Sequence, residues 1–486
     1  MNLRITYLLI LVPLTLGVRG QSVFSDGSWY KLGVTQGGIY KLDRDLITNV
    51  LGINVSGLDA NTIKVYGFNG GMLPQENSAA WYSDPPEIPL LRKGTQDGRL
   101  DNEDYLLFFA QGPDKVKLKT DGSLNYEKNL YSDTAYYFLT FGEDAGLQLE
   151  DLASQGESIL ITNTFDDYLT HEKDETNILG SGREWFGERF GGSSGLSRQD
   201  FNYEIPGILD SVGVFTRLIG QSESPGSFEL LLNQNTLGTV AIDSIPSVTS
   251  YSDFSRVRYT FRGTESYGVF SKNNFSSNDL RLTFRFNAGV STLSRSYIDY
   301  FILGFKRNLQ LYGNQTQFRT TLSVGNAISY QIQNTDPDDV YLWDITDPVS
   351  PKNQQFVKNG NGIRFGSAQD TLLNEYIIFQ GSDFPNPSFF GEVTNQNIKG
   401  QTSIDGVIIT TPAFLNASER LADFHQSNDG LSVAVVTTNQ VYNEFSSGRQ
   451  DISAIRNFVK YLWKNGGRLK YVLLMGDASY DYKNCK

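Results

Sequence analysis

Over much of the chain apolar and polar residues alternate with period two, the signature of strands with one face buried. Residues 29–35 and 39–42 alternate on either side of Gly37-Gly38 and predict a hairpin. Residues 43–51 predict a short helix stopped by Gly52, and 62–68 a strand closed by Asn69-Gly70-Gly71. Residues 105–110 form an unbroken apolar run before Gln111-Gly112-Pro113, and 136–141 repeat the pattern before Gly142. Together these elements predict a β-domain over residues 21–150. Residues 151–200 are acidic at Asp166, Asp167, Glu172, Asp174 and Glu175 and rich in Gly and Ser at 191–195, so they predict a connecting segment. Short alternating runs at 228–232, 257–261 and 280–286 predict an antiparallel sandwich or jelly roll over 201–317, and further strands fill 318–400.

At residue 404 the pattern changes. Strands are predicted at 404–411, 431–438 and 471–475, with a helix at 415–427. A second helix starts from a cap at Asp451 or the residue before it, carries Ile452, Ile455, Phe458, Val459 and Leu462 on one face, and stops at Asn465-Gly466-Gly467. Strand, helix, strand, helix, strand is the first half of a parallel α/β sheet, here over 401–486. Three such strands have too little bulk to make a finished domain, so the domain is expected to continue beyond Lys486. The fold class is therefore multidomain and mostly β, with antiparallel sandwich or jelly-roll domains followed by half of an α/β domain.

Charge and composition remove several functions. The net charge of −13 is spread without a block of one sign, which argues against nucleic acid and anionic lipid as partners. Cysteine occurs once, at Cys485, so neither an intrachain disulfide nor a multi-cysteine metal site can form. At the amino terminus Arg4, an apolar run over 5–16 and small residues at Val18 and Gly20 predict a signal peptide over 1–20. That run is shorter than the roughly 20 residues of a spanning helix, Pro13 interrupts it, and no later stretch is long enough, so the mature chain is expected outside the cytoplasm with no span of its own.

Candidate chemistry is sparse. The acidic residues from Asp97 to Asp104 do not have the spacing of an EF-type calcium loop and predict a solvated turn. Gly70-Gly71 and Gly191-Gly192 lack the lysine and spacing of phosphate loops. The two histidines have ordinary structural readings, His171 among surface charges and His425 near a helix carboxyl end. Cys485, second from the end, has no evident base beside it. Asp477 differs, because open α/β sheets place ligands beyond the carboxyl ends of their strands. It is the site-edge candidate.

Residues 29–32 with 38–42, 104–113, 131–139, 181–188, 448–458 and 471–477 together resemble the gingipain-type cysteine peptidases that act as sortases of the type IX secretion system. The resemblance implies a caspase-like α/β domain in which a Cys nucleophile and a His partner cut the carboxyl-terminal sorting domain from secreted cargo and pass the cargo to surface lipopolysaccharide. It implies no metal and no cofactor. Implied partners are cargo proteins and outer-membrane components of the secretion system, and the implied location is across the inner membrane, from periplasm to the outer-membrane surface. No residue of this chain inherits a catalytic role, since the family's Cys and His are expected beyond Lys486, and the chain alone is expected to be inactive. The aromatic-rich stretch at 201–317 keeps open another reading, a secreted β-rich adhesin or glycan-binding module.

Overall fold

The computed structural model describes residues 20–68, 70–80, 82, 84–178, 184–192, 195–222, 224–245, 264–273, 277–290, 294–479 and 481–483. Residues 1–19 of the predicted signal peptide, the strand predicted at 257–261 and Cys485 lie outside them.

The predicted amino-terminal hairpin is not formed. Strands β1 (Ser28–Val34) and β2 (Gly38–Asp43) lie in different sheets. β2 pairs with β3 (Tyr105–Ala110), whereas β1 runs between β4 (Ala135–Phe141) and residues Ser388–Val393. Burial explains the difference. Both strands bury nearly every side chain, so neither tolerates a solvent face, and stacking two sheets satisfies both. The turn at Gly37-Gly38 carries the chain across the shared core, where Tyr30, Leu32 and Val34 of one sheet meet Tyr40 and Leu42 of the other. A short helical turn, Leu46–Val50, buries Leu46 and Ile47 and ends at Gly52, whose φ of 72° favours glycine.

The segment read as a connection contains β5 (Thr164–Glu172), which lies well inside the largest sheet. That sheet also takes in β6 (Ile208–Gln221), β7 (Arg295–Asn308), β8 (Gln315–Arg319) and β9 (Glu375–Gln380), in the spatial order β9, β8, β5, β7, β6. β5 escaped notice because charge pairs replace apolar contacts along it. Asp166 faces Lys306 at 3.0 Å, Asp167 faces Arg307 at 2.8 Å and His171 faces Glu188 at 2.9 Å, while Phe165 alone is fully buried. The sandwich predicted over 201–317 is present. Strands Arg198–Glu204, Asp279–Asn287, Gly226–Leu232 and Asn235–Ile242 make one sheet, whose Phe228, Leu230, Leu282 and Phe284 pack on Val214, Phe301 and Leu303 of β6 and β7.

The parallel unit follows the predicted order with one addition. It runs β10 (Gly406–Thr410), α1 (Leu415–Asp429), β11 (Val433–Thr437), α2 (Thr438–Ser446), α3 (Ile452–Gly466) and β12 (Tyr471–Met475), with β10 central and β11 and β12 parallel to it on either side. The extra helix α2 begins with a capping box in which Thr437 and Gln440 satisfy each other's backbone N–H groups. Asp451 caps α3 as predicted, accepting from the Ser453 N–H at 2.8 Å.

This unit is bolted to the β-rich body. The second oxygen of Asp451 accepts the N–H of Leu73, 2.8 Å away in the loop 68–84. Buried Arg449 donates to Ser446 O at 3.0 Å and to Gly71 O, and Arg456 and Lys460 donate to the carbonyls of Pro74 and Asn77. From the other side Lys31 of β1 donates to Gly448 O, and Ser447 donates to Tyr136 O of β4. Burial lowers Lys31 to about 8. Beyond β12 the chain returns to the body, where Tyr482 packs on Tyr131 with ring centres 5.3 Å apart and Lys483 pairs with Asp133. Beside this contact Lys128 is held by Glu172 and Asp174, and burial pushes the Glu172 carboxyl up to about 7 against the pull of Lys128.

Asp451→Ala removes a helix cap and leaves the buried Leu73 N–H without an acceptor. We expect a loss of about 2–4 kcal/mol in the unfolding of the 399–486 unit, measured by denaturant titration. Glu172 keeps its proton in the folded state to about pH 7, whereas in the unfolded chain it releases it near 4.5, so its ionisation destabilises the fold increasingly between those values. Glu172→Gln has no proton to lose. Its stability relative to the unsubstituted chain should rise by roughly 2 kcal/mol between pH 5 and pH 8, read as a widening Tm difference.

Candidate functional site

The three parallel strands are short apolar runs, as buried parallel strands must be. Their spatial order places β10 in the middle, so the chain leaves β10 toward β11 and then crosses back to the far side to lay down β12. A reversal of this kind leaves the helices of neighbouring connections on opposite faces and opens a crevice at the carboxyl ends of the two strands. Here that crevice lies between the ends of β10 and β12.

Its floor is tied together by hydroxyls. Thr410, buried at the end of β10, donates from Oγ1 to Met475 O of β12 at 3.1 Å. Ser418 of α1 donates to Phe414 O at 2.9 Å and sits 3.0 Å from Met475 Sδ. Asp477, the candidate from the sequence, follows directly on this rim. Its side chain is exposed, and Oδ1 accepts the N–H of Ala478 at 2.9 Å. The carboxylate caps its own loop. At the opposite, amino-terminal end, Asp405 accepts from Ser432 N–H and from Arg468 at 2.9 Å, which fixes the entry to β10 and which sequence reasoning did not single out. An acid directly before an apolar strand was the available signal.

Neither histidine reaches the rim. His171 lies in β5, stacked on Phe301 with centres 4.8 Å apart and bound to Glu188. His425 is on α1, two helical turns beyond Ser418, with Nδ1 2.7 Å from Asp429 of the same helix. The rim therefore holds hydroxyls and a carboxylate but, among the described residues, no nucleophile joined to a base. The acidic loop from Asp97 to Asp104 is likewise occupied with its own backbone: Asp97 accepts from Arg99 N–H and Asp104 from Asp101 N–H. Among the described residues no three His, Cys, Asp or Glu side chains converge on a common point.

One feature of this unit is out of keeping with a finished sheet. In β12 the side chains of Tyr471, Val472, Leu473 and Leu474 are 58, 44, 42 and 62% exposed, and no strand pairs with its outer edge among the described residues. Central β10, by contrast, is buried at every position.

Residues 399–486 match the family model of peptidase family C25. Among solved structures the chain is similar to dimeric latent PorU from Porphyromonas gingivalis, with a TM-score of 0.80 and 24% identity over 95% of this chain. The aligned region covers 43% of the PorU chain, so the present sequence spans less than half of that protein. A carbohydrate-binding module of a multidomain xylanase from the hindgut metagenome of Trinervitermes trinervoides also aligns, at 10% identity over 28% of this chain and 95% of that one, but its TM-score of 0.18 is too low to indicate a shared fold. No curated protein matches. The chain thus has a PorU-like fold over nearly its whole length, with a carboxyl-terminal segment, residues 399–486, that matches peptidase family C25.

Proposed function

We propose that this chain is the β-rich body and the opening of the catalytic domain of a gingipain-type cysteine peptidase acting as a sortase. The observation that carries the reading is β12. An apolar strand with four half-exposed side chains at the edge of a parallel sheet calls for cover, and burying what remains exposed of each is worth on the order of 1 kcal/mol. In this reading further strands of the same domain pair with β12 and cover it, and they bring the Cys and His to the crevice beside Asp477. The C25 match and the PorU-like fold support the same assignment.

The chemistry then follows from the nucleophile. The thiolate attacks the scissile carbonyl carbon, the C–N bond breaks, and the imidazolium gives its proton to the departing amine. The remaining thioester is opened by water, giving hydrolysis, or by an amine on a surface acceptor, giving transfer. The substrates in this reading are secreted cargo proteins with carboxyl-terminal sorting domains, met at the outer-membrane surface after removal of residues 1–20. Asp477 borders the crevice, and the hydroxyls of Thr410 and Ser418 hold its floor.

The test compares two chains on a cargo protein bearing its sorting domain. The 486-residue chain should show no cleavage, whereas a chain extended through the downstream coding sequence should release the sorting domain and lose that activity after iodoacetamide. Cleavage by the 486-residue chain that persists in Cys485→Ala would overturn the placement of the reactive pair, and iodoacetamide-resistant cleavage by the longer chain would overturn cysteine chemistry.

A further inference from the structure

The largest sheet splits between two of its strands. Among the described residues β5 and β8 pair at one position, Asp166 with Arg319, although β5 continues to Glu172 and β8 begins at Gln315. Beyond that pair the strands diverge around a cavity of about 990 Å³, within the size range of ligand sites. Tyr168 and Thr170 line it from β5, Gln315 and Gln317 from β8, and the strand Lys115–Leu118 walls it.

Both strand edges aim backbone groups at this gap, although the Tyr168 N–H is already taken by Asp167 Oδ1 at 2.9 Å. In an antiparallel pair, residues that exchange hydrogen bonds with the neighbour alternate with residues whose N–H and C=O point the other way. The N–H of Leu309 donates to Asn163 O at 2.8 Å, which sets the phase of the β5–β7 ladder. Tyr168 and Thr170 then present their backbone groups away from β7. Similarly, the N–H of Gln380 donates to Asn314 O at 3.0 Å, so Gln315 and Gln317 present theirs away from β9. The Asp166–Arg319 pair obeys the same phase on both strands. Backbone groups thus face the gap from two sides, where an added strand would satisfy them.

The gap also holds a guanidinium that lacks full partners. Arg319 is 3% exposed, and its Nη1 has no hydrogen-bond acceptor among the described residues. Its Nε lies 2.9 Å from Glu375 Oε1, a charge pair whose N–H is poorly aligned for a hydrogen bond, and its guanidinium lies 5.0 Å from the Tyr168 ring centre. Lys115 belongs to the strand that walls the gap, but its side chain runs over Gly71 beside Arg449, so the charge facing the gap is that of Arg319. The carboxylates present are already engaged: Asp114 accepts from Tyr126 and from Asn129 N–H, and Asp167 holds Arg307.

We propose that the gap between β5 and β8 binds an extended peptide segment carrying an acidic side chain, its backbone adding to β5 at the Tyr168 carbonyl and at Thr170, and its carboxylate meeting Arg319. Strand addition supplies affinity through the main chain, and the Arg319 guanidinium selects the acidic residue. The inference stands apart from the peptidase reading, since none of these residues belongs to 399–486.

The experiment is selection of a phage-displayed random nonapeptide library on the full 486-residue chain, followed by binding of the synthetic winners. An enriched group with one recurrent Asp or Glu is expected. Its binding should fall at least tenfold when that residue becomes Asn or Gln, and by a similar factor on chains carrying Gln317→Glu, which sets a negative charge beside Arg319, or Thr170→Pro, which removes an N–H aimed at the gap while sparing the β5–β7 ladder. Circular dichroism checks folding of each variant, and Gln317→Glu, at a half-buried position without a side-chain partner, decides the matter if Thr170→Pro misfolds. Absence of an acidic group among the winners, or winners that bind the folded Gln317→Glu chain undiminished, would overturn the proposal.

Discussion

Two buried ions, Arg449 and Asp451, fix how the parallel α/β unit sits on the β-rich body. A guanidinium and a carboxylate removed from water are costly unless their donors and acceptors are met, and here backbone meets them from both sides: Gly71 O and Leu73 N–H of the loop 68–84, and Ser446 O and Ser453 N–H of the unit itself. The loop needs them in return, since its N–H of Leu73 and carbonyl of Gly71 have no sheet to pair with. Because Asp451 also caps α3, the helix cannot shift without breaking the loop contact, and the orientation of the crevice at the carboxyl ends of β10 and β12 is set by residues nearly 400 positions away in sequence. Apolar packing reinforces the same joint through Phe68 and Leu73 against Val436, Phe445 and Phe458.

Much of the carboxyl-terminal unit was legible because its signals are local. Apolar runs of strand length, glycine stops and an aspartate before an amphipathic stretch are each read within a few residues, and two of the segments that carried the resemblance to gingipain-type sortases, 448–458 and 471–477, lie in this unit. Helix α2 was equally local but was overlooked; Thr437 and Gln440, three apart, were its sign. What stayed hidden depends on partners far along the chain. Nothing within residues 28–43 says that β1 pairs with Ser388–Val393 rather than with β2, because an alternating strand does not name its neighbour. At the site, Asp477 was legible from its place after an apolar strand, whereas the fastening of the rim by Thr410 and Ser418 depends on side-chain directions that spacing alone does not give.

β5 links two of these observations. Its charged positions face Lys306, Arg307 and Glu188, and the adjacent pair Arg217 and Asp299, 2.5 Å apart, continues the polar seam across β6 and β7. Such a seam does not read as a strand to any hydrophobicity pattern. It also provides little apolar surface to draw β8 alongside, which is where the sheet parts. Polarity at that position accounts both for the failure of the sequence reading and for the existence of the gap.

The closure of the amino-terminal sheet by Ser388–Val393 bears on how the molecule is made. β1 is synthesised early yet keeps one hydrogen-bonding edge open until some 350 further residues have emerged, so the first sheet to appear is among the last to be sealed. Contacts this distant in sequence slow folding and leave an unpaired edge as a template for wrong pairing. Maturation of the body therefore has a built-in order: the amino-terminal sheet waits for the segment directly preceding the α/β unit, and closes only as that unit is about to be assembled onto the body.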